Sequence, residues 1–178
     1  MSKIGRKPIP VGGTHVEIKD NEIHYKGKKS SGVHLLDKIL KAELLENDLY
    51  IAPRMETPDT NRIWGLHRAL VFNKIKGADV GFEKQLKIVG LGYKASTANA
   101  KMQFSLGFSH KIDFDLPKEV TVELDKTGQL LTFRSFDKDI LGQVCSDVRA
   151  LRPPEPYKGT GIQYVNEVIL RKAGKAKS

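Results

Sequence analysis

The sequence predicts an α+β protein made of two similar domains, each an antiparallel sheet packed against one helix. Two observations predict this class. Short segments alternate apolar and polar residues, as half-buried strands do, and two other stretches place apolar residues at helical spacing. Each helical stretch follows a group of strands, so the same order of elements occurs twice along the chain. This repetition predicts an internal duplication.

The first domain is expected to contain a β-hairpin near its start. Residues 16–18 and 23–25 alternate in polarity, and the turn formers Asp20 and Asn21 lie between them. A further strand is predicted at residues 49–52, before a segment interrupted by prolines.

The first helix is predicted from Ile63, Leu66 and Leu70. These residues fall at i, i+3 and i+7, which places them on one face of a helix. The pattern runs to about Ile75, and Gly77 then supplies the stop.

The second domain is expected to be richer in strands. Alternation occurs at residues 102–106, 112–114 and 120–124, and a further apolar stretch lies at 130–133. These segments predict half-buried antiparallel strands.

The second helix is predicted to follow Asp137, which is suited to be its N-cap. Its apolar residues, at i, i+3, i+4 and i+7, are Leu141, Val144, Cys145 and Val148. Pro153 and Pro154 end it. The two helix starts look alike, with DTNRIWG at residues 59–65 and DKDILG at residues 137–142. We therefore expect one domain at residues 1–82 and a second at 83–178.

The positive charge is concentrated at the two ends of the chain. The net charge is +9, from 30 Lys and Arg against 21 Asp and Glu. The cations of the ends, with no acid among them, are Lys3, Arg6, Lys7, Arg171, Lys172, Lys175 and Lys177. This distribution favours a polyanionic partner, either nucleic acid or an anionic membrane surface. Termini that serve only solubility are the alternative.

The segment from Arg149 to Lys177 has the composition of an RNA-binding surface. Besides the terminal cations it contains Arg149, Arg152, Tyr157, Lys158, Gly159, Gly161 and Tyr164. Cations neutralise phosphates, glycines let the backbone approach them, and tyrosines stack on exposed bases. A solvated loop would have a similar composition.

Residues 90–95 match the glycine pattern of a dinucleotide-binding turn, which would make the protein an enzyme. That turn must open a helix, so that backbone N–H groups meet a pyrophosphate. The residues that follow here alternate as a strand. We therefore favour a glycine kink or bulge in an antiparallel strand, and expect no cofactor and no small-molecule substrate.

No catalytic or metal-binding constellation is predicted. The histidines are scattered and form no pair on one helix face: His15, His24, His34, His67 and His110. Cys145 lies on the apolar side of a helix and is expected to be a small buried hydrophobe. Asp113 and Asp115 lie on one side of a strand, which fits a solvated face.

The sequence favours a cytoplasmic protein without a membrane anchor. No run approaches the roughly twenty apolar residues of a membrane span, and the first residues lack the apolar stretch of a secretory signal. One cysteine cannot form an intrachain disulfide, which favours a reducing compartment. A peripheral membrane protein held by basic tails would lack an apolar anchor.

Four segments resemble one known family, ribosomal protein six of the large subunit. They lie at residues 2–9, 81–95, 105–110 and 152–164, and the last reads RPPEPYKGTGIQY. The resemblance covers essentially the whole chain. Two positions depart from the family pattern, which usually has Lys where Thr160 stands and Arg where Gln163 stands. The helix around residues 61–73 also differs from the more polar helix of the family.

The resemblance implies a duplicated two-domain protein that binds large-subunit ribosomal RNA, mainly through its second domain and C-terminal tail. It implies a place near the sarcin–ricin loop and the stalk base, beside neighbouring large-subunit proteins, in the cytoplasmic ribosome. The expected role is to hold RNA structure and support subunit assembly and translation, with no catalysis and no cofactor.

Overall fold

A computed structural model describes residues 2–98 and 101–174. Within these residues the chain divides into two units. The first runs to Gly81 and includes Phe136–Lys138, and the second comprises the chain from Phe82 to Ser135 and from Asp139 onward. Strands precede the long helix in each unit, which confirms the predicted α+β class.

The described part of the first unit contains six strands and one long helix. They are β1 (Ile9–Pro10), β2 (His15–Lys19), β3 (Glu22–Lys26), β4 (Ser31–Leu35), β5 (Leu40–Leu45), β6 (Asp48–Pro53) and α1 (Thr60–Asp79). The strands form two antiparallel sheets, in the orders β1-β6-β5 and β2-β3-β4. The predicted hairpin is β2–β3, with Asp20 in its turn at a φ of 51°. The predicted strand at 49–52 lies within β6.

The core of the first unit lies between its sheets and α1. Its fully buried strand residues are Ile9, Ile23, Leu40 and Leu49. Helix α1 adds Trp64, Val71 and Ile75 to the same cluster. The Trp64 indole N–H donates a hydrogen bond of 2.6 Å to the carbonyl of Ile51, so the buried ring keeps a polar partner.

The predicted face of the first helix was wrong at Leu66, although Ile63 packs against the core, and the predicted end was wrong as well. Leu66 is 54% exposed, because the core takes the stripe that contains Trp64 instead. The helix continues through Gly77, which is buried, and ends at Asp79, so Gly77 does not supply the stop. Val80 keeps a right-handed backbone after the helix, and Gly81 then takes a positive φ of 83° while its N–H donates to the carbonyl of Lys76 at 3.1 Å.

The described part of the second unit contains seven strands and one helix. They are β7 (Phe82–Val89), β8 (Lys94–Ala98), β9 (Lys101–Ser105), β10 (Ile112–Asp115), β11 (Val120–Leu124), β12 (Leu130–Ser135), α2 (Lys138–Leu151) and β13 (Gly161–Tyr164). The strands again form two antiparallel sheets, β11-β12-β7-β13 and β10-β9-β8.

The second core confirms the sequence pattern of α2. Its four predicted apolar residues are all buried: Leu141, Val144, Cys145 and Val148. They pack in one cluster with strand residues that include Leu86, Phe104, Phe133 and Ile162. Ile162 belongs to β13, so this last strand completes the core that α2 covers.

The segment at residues 90–95 joins two strands and opens no helix. Strand β7 ends at Val89 and β8 begins at Lys94, with a turn between them in which the N–H of Tyr93 donates to the carbonyl of Gly90 at 3.3 Å. The glycines therefore serve a turn between strands, and the expected kink or bulge within one strand was wrong in this detail.

Candidate nucleic-acid interface

The residues between α2 and β13 form a closed loop, which we call the 152–160 loop. Pro153 follows the helix end and begins the turn. The N–H of Ile162 donates to the carbonyl of Arg152 at 2.8 Å, and the N–H of Glu155 donates to the carbonyl of Thr160 at 3.0 Å. These bonds hold the two ends of the loop together.

Two glycines allow this closure. Gly159 has a φ of 72° and Gly161 a φ of 139°, both in the region that side chains disfavour. A Cβ at Gly161 would lie 2.6 Å from the carbonyl oxygen of Pro153. Glycine at position 161 is thus required by conformation and by the close approach of the backbone.

Glu155 organises the interior of the loop. Its Oε1 accepts hydrogen bonds from the N–H of Lys158 at 3.1 Å and from the hydroxyl of Thr160 at 3.0 Å. Thr160, one of the two departures from the family pattern, therefore binds a loop carboxylate with its side chain. Gln163, the other departure, is buried in β13.

The outer side of the loop is open to solvent. Tyr157 is 54% exposed, and Lys158 is also exposed. A groove of about 420 Å³ runs over the loop, and it is lined by Arg152, Pro153, Glu155, Tyr157, Lys158 and Thr160. An exposed ring beside cations suits a surface that contacts both bases and phosphates.

The segment after β13 lies against the same loop. The N–H of Lys172 donates to the carbonyl of Pro156 at 2.8 Å. The guanidinium of Arg171 lies beside Gly159, 3.3 Å from where a Cβ would stand. Two exposed cations of the C-terminal segment are thus brought to the loop that carries Lys158. Lys175 and Lys177, also predicted to bind RNA, lie outside the described residues.

Arg149 and Tyr164 are engaged within the protein. Arg149 forms an ion pair with Glu167, whose carboxylate also accepts the N–H of Tyr164 at 3.1 Å. The hydrogen bond from Arg149 lowers the pKa of Glu167, and the same bond raises the pKa of Arg149. Tyr164 is half-buried, and this burial raises the pKa of its hydroxyl. Through their bonds to Glu167, Arg149 and Tyr164 stabilise the backbone of the candidate interface.

The basic N-terminal residues Lys3, Arg6 and Lys7 are exposed on the first unit. Their segment is held against α1, since Arg68 donates hydrogen bonds to the carbonyls of Lys7 at 3.2 Å and Pro8 at 2.8 Å. It therefore presents its cations from a fixed backbone.

The surroundings of Arg152 could not be predicted from the sequence. Its guanidinium carbon lies 4.7 Å from the ring centroid of Phe108 and 5.5 Å from that of Tyr93. Both rings lie in segments that carry the family resemblance, next to glycines. Because both rings lie far from Arg152 along the chain, no sequence pattern indicates this contact.

The described residues contain no group of three or more His, Cys, Asp or Glu side chains that could hold a metal. Cys145 is fully buried, which raises the pKa of its thiol to about 11 and disfavours the thiolate. Asp113 and Asp115 are exposed and pair with Gln103 and Lys101, as expected for a solvated face.

Neither α1 nor α2 combines the length and apolar character needed to cross a bilayer.

The fold and this surface define an α+β protein of two units, the second of which presents a cationic loop and C-terminal segment. Residues 89–165 match the family model described as Ribosomal protein L6. Relatives named large ribosomal subunit protein uL6 include those of Desulfatibacillum aliphaticivorans, 39% identical over 98% of both chains, and Acinetobacter baylyi, 39% identical over 99% of this chain and 100% of the relative. Another, from Campylobacter jejuni, is 38% identical over 98% of both chains.

The chain therefore belongs to the large ribosomal subunit protein uL6 family. This membership confirms the resemblance found in the sequence. It also confirms the prediction of a ribosomal protein of the large subunit rather than an enzyme.

Proposed function

We propose that this protein binds large-subunit ribosomal RNA near the sarcin–ricin loop and the stalk base, through the 152–160 loop and the C-terminal segment. There it holds RNA structure, contacts neighbouring large-subunit proteins and supports subunit assembly and translation in the cytoplasmic ribosome. The observation that carries the proposal is the bond between the Lys172 N–H and the Pro156 carbonyl, because it gathers loop and tail cations into one surface.

Three exposed cations contribute to this surface: Lys158, Arg171 and Lys172. The N–H of Lys158 donates to the Glu155 carboxylate, the N–H of Lys172 donates to the Pro156 carbonyl, and Arg171 directly precedes Lys172. Since the backbone that carries them is already ordered, little conformational entropy is lost when phosphates bind. Arg152 and Tyr157 add groups that can contact bases. Membership of the uL6 family supports a ribosomal RNA as the polyanion.

The first unit contributes a second basic region. Lys3, Arg6 and Lys7 lie on a backbone that Arg68 fixes to α1. We expect these cations to bind phosphates without reading sequence, because phosphate contacts set position and base contacts set specificity.

The test is binding of the full chain to a large-subunit RNA fragment that contains the sarcin–ricin region, across a salt series. An unrelated structured RNA of the same length is the competitor. We expect tight binding to the ribosomal fragment and a steep decrease in affinity with salt. Equal affinity for both RNAs would contradict the specific placement, and affinity independent of salt would contradict the electrostatic mechanism.

A chain that stops after Leu170 tests the tail separately. This truncation removes Arg171, Lys172 and the cations beyond them but keeps Glu167 and its ion pair with Arg149. We expect a shallower salt dependence, by about one unit of slope for each phosphate that the shortened chain no longer neutralises.

The matched control is Lys41→Ala, which removes an exposed cation already paired with Glu43 at 2.7 Å. This variant should bind as the wild type does. An unchanged slope in the truncated chain would exclude the tail from the interface.

A further inference from the structure

Four side chains form a cluster at one end of the second unit, which we call the aromatic cluster: Tyr93, Phe108, His110 and Arg152. They come from the β7–β8 turn, the segment between β9 and β10, and the residue after α2. The guanidinium of Arg152 lies over the rings of both Tyr93 and Phe108, and the ring of His110 lies 6.2 Å from that of Phe108 at an interplanar angle of 24°.

Two glycines, Gly90 and Gly107, lie against the Tyr93 ring of the aromatic cluster. A Cβ at Gly90 would lie 2.5 Å from the Tyr93 ring, and one at Gly107 would lie 2.7 Å from it. Both glycines have positive φ, at 155° and 76°. The Tyr93 ring therefore lies close against two turns at positions where only glycine fits, and it is in cation–π contact with Arg152.

The outer end of the cluster is exposed. Phe108 is 44% exposed and His110 is exposed as well, whereas the core residues Phe104 and Phe133 are fully buried. A single exposed apolar side chain is ordinary on a protein surface, but Phe108 lies beside a second exposed ring, His110, and a cation, Arg152. Exposing a flat ring costs hydrophobic stabilisation, so a partner that covers it gains that area on binding.

The charge around the cluster favours a nucleic acid as that partner. Arg152 supplies a delocalised cation within the stack, and the exposed Lys94 and Lys111 follow the two turns in sequence. Unpaired bases stack on aromatic rings and on guanidinium planes, while cations beside them bind the phosphates.

We infer that the aromatic cluster is a stacking platform for an unpaired nucleobase of the bound RNA, with Phe108 and His110 as its contact rings. The inference rests on the proposed function, since it requires that the protein bind RNA. It adds base contacts by Phe108 and His110, which lie outside the 152–160 loop and meet it at Arg152.

The test compares Phe108→Ala with wild type on the same ribosomal RNA fragment over the salt series. Loss of one stacked base should weaken binding by about tenfold at every salt concentration. The slope against salt should stay unchanged, because no charge is removed.

Phe108→Trp should bind as tightly as wild type. The matched control is Leu91→Ala, which shortens a fully exposed apolar side chain in the adjacent β7–β8 turn and should change nothing.

A second measurement uses the wild-type protein, so its outcome does not depend on whether a variant folds. In wild-type protein, a stacked base should move the ring-proton NMR signals of Phe108 and His110 upfield through its ring current. Signals that do not move when RNA binds would overturn the platform.

The outcomes separate this inference from the proposed function. Wild-type preference for the ribosomal fragment with unchanged binding by Phe108→Ala would overturn the platform alone. Normal RNA binding by Phe108→Ala with loss of its incorporation into large subunits would assign the rings to a protein neighbour, which also overturns the platform. Wild-type binding without preference would overturn the proposed function and the platform with it.

Discussion

Arg149 and Glu167 form an ion pair with two hydrogen bonds. Arg149 Nε donates to Glu167 Oε2 at 3.0 Å, and Nη2 donates to Oε1 at 2.5 Å. The two side chains are 32% and 23% exposed. The pair joins the last turn of α2 to the segment after β13, so it links the two ends of the candidate interface.

Arg149→Ala should reduce stability more than it reduces RNA binding. The charge of Arg149 is already compensated by Glu167, so we expect the salt slope of RNA binding to stay at the wild-type value. Loss of the paired hydrogen bonds should lower the free energy of unfolding by about 1 to 2 kcal/mol. Urea unfolding and the RNA salt series measure the two effects. Lys172→Ala is the comparison, with a slope smaller by about one and little change in stability. A smaller slope for Arg149→Ala would contradict the assignment.

Glu167 should make the protein less stable in acid. The hydrogen bond from Arg149 lowers the pKa of Glu167 in the folded chain below the value of about 4.3 for an unfolded Glu. Its contribution is therefore fully present above that unfolded pKa and is lost as the pH falls through the folded pKa.

Glu167→Gln should flatten this part of the stability profile. Hydrogen bonds from Arg134 and Thr127 also lower the pKa values of Glu83 and Asp125, so the difference between wild type and variant is the quantity to measure. Urea unfolding at pH 7 and pH 3 gives that difference. Parallel profiles for the two proteins would exclude Glu167 from the acid response.

His34 and His67 should produce a second pH dependence, at higher pH. Their ring nitrogens Nε2 and Nδ1 are 3.0 Å apart. Burial lowers the pKa of His34 to about 4, and the positive charges of Lys74 and His67 act in the same direction. Burial also lowers the pKa of His67, against an opposing effect of Asp37. Between pH 6.5 and about 4 the unfolded chain binds more protons than the folded one, so stability decreases as the pH falls through this window.

The variant His34→Gln should show a flatter profile between pH 7 and 4.5, measured by urea unfolding. The wild type should lose up to roughly 3 kcal/mol over the full window, from the size of the His34 shift. Lys74→Gln removes one cause of the shift and should narrow the window. An unchanged profile in His34→Gln would contradict this account.

Gly161→Ala should strongly destabilise the second unit. The new Cβ would combine a disfavoured φ of 139° with a contact of 2.6 Å to the Pro153 carbonyl oxygen. We expect a loss of about 2 to 4 kcal/mol. Gly92→Ala is the matched control, since Gly92 has a φ of 73° and open space where its Cβ would stand. It should cost only about 1 kcal/mol, from the backbone conformation alone. Equal losses would show that the close approach at Gly161 does not matter.

The second helix could be predicted from sequence because its pattern is unambiguous. Its apolar residues occupy one stripe and prolines follow its end, and all four predicted residues are buried. Helix α1 has apolar residues around most of its circumference. Which face of α1 is buried therefore depends on the side chains that fit against the sheets. Trp64 is buried on that face, where its indole N–H binds the carbonyl of Ile51. The internal duplication and the domain boundaries stay predictions.

The residues of the candidate interface were predicted from composition, and their RNA binding stays a prediction, whereas the bonds among them could not be predicted. Glycines, cations and a tyrosine between residues 149 and 177 indicated an RNA-binding surface. The carboxylates of Glu155 and Glu167 acquire their roles only when the loop closes and brings their partners within 3.1 Å. Likewise, the pairing of His34 with His67 depends on the packing of β4 against α1, which no local pattern reveals.

The pairing of β13 with β7 has a consequence for biosynthesis. Ile162 fills the core of the second unit, yet its strand pairs with residues made more than seventy positions earlier. While the ribosome synthesises the second unit, that core stays open until residues 161–164 have emerged. The same residues close the 152–160 loop. A nascent chain therefore closes this loop only after the strand that completes the core of the same unit has emerged.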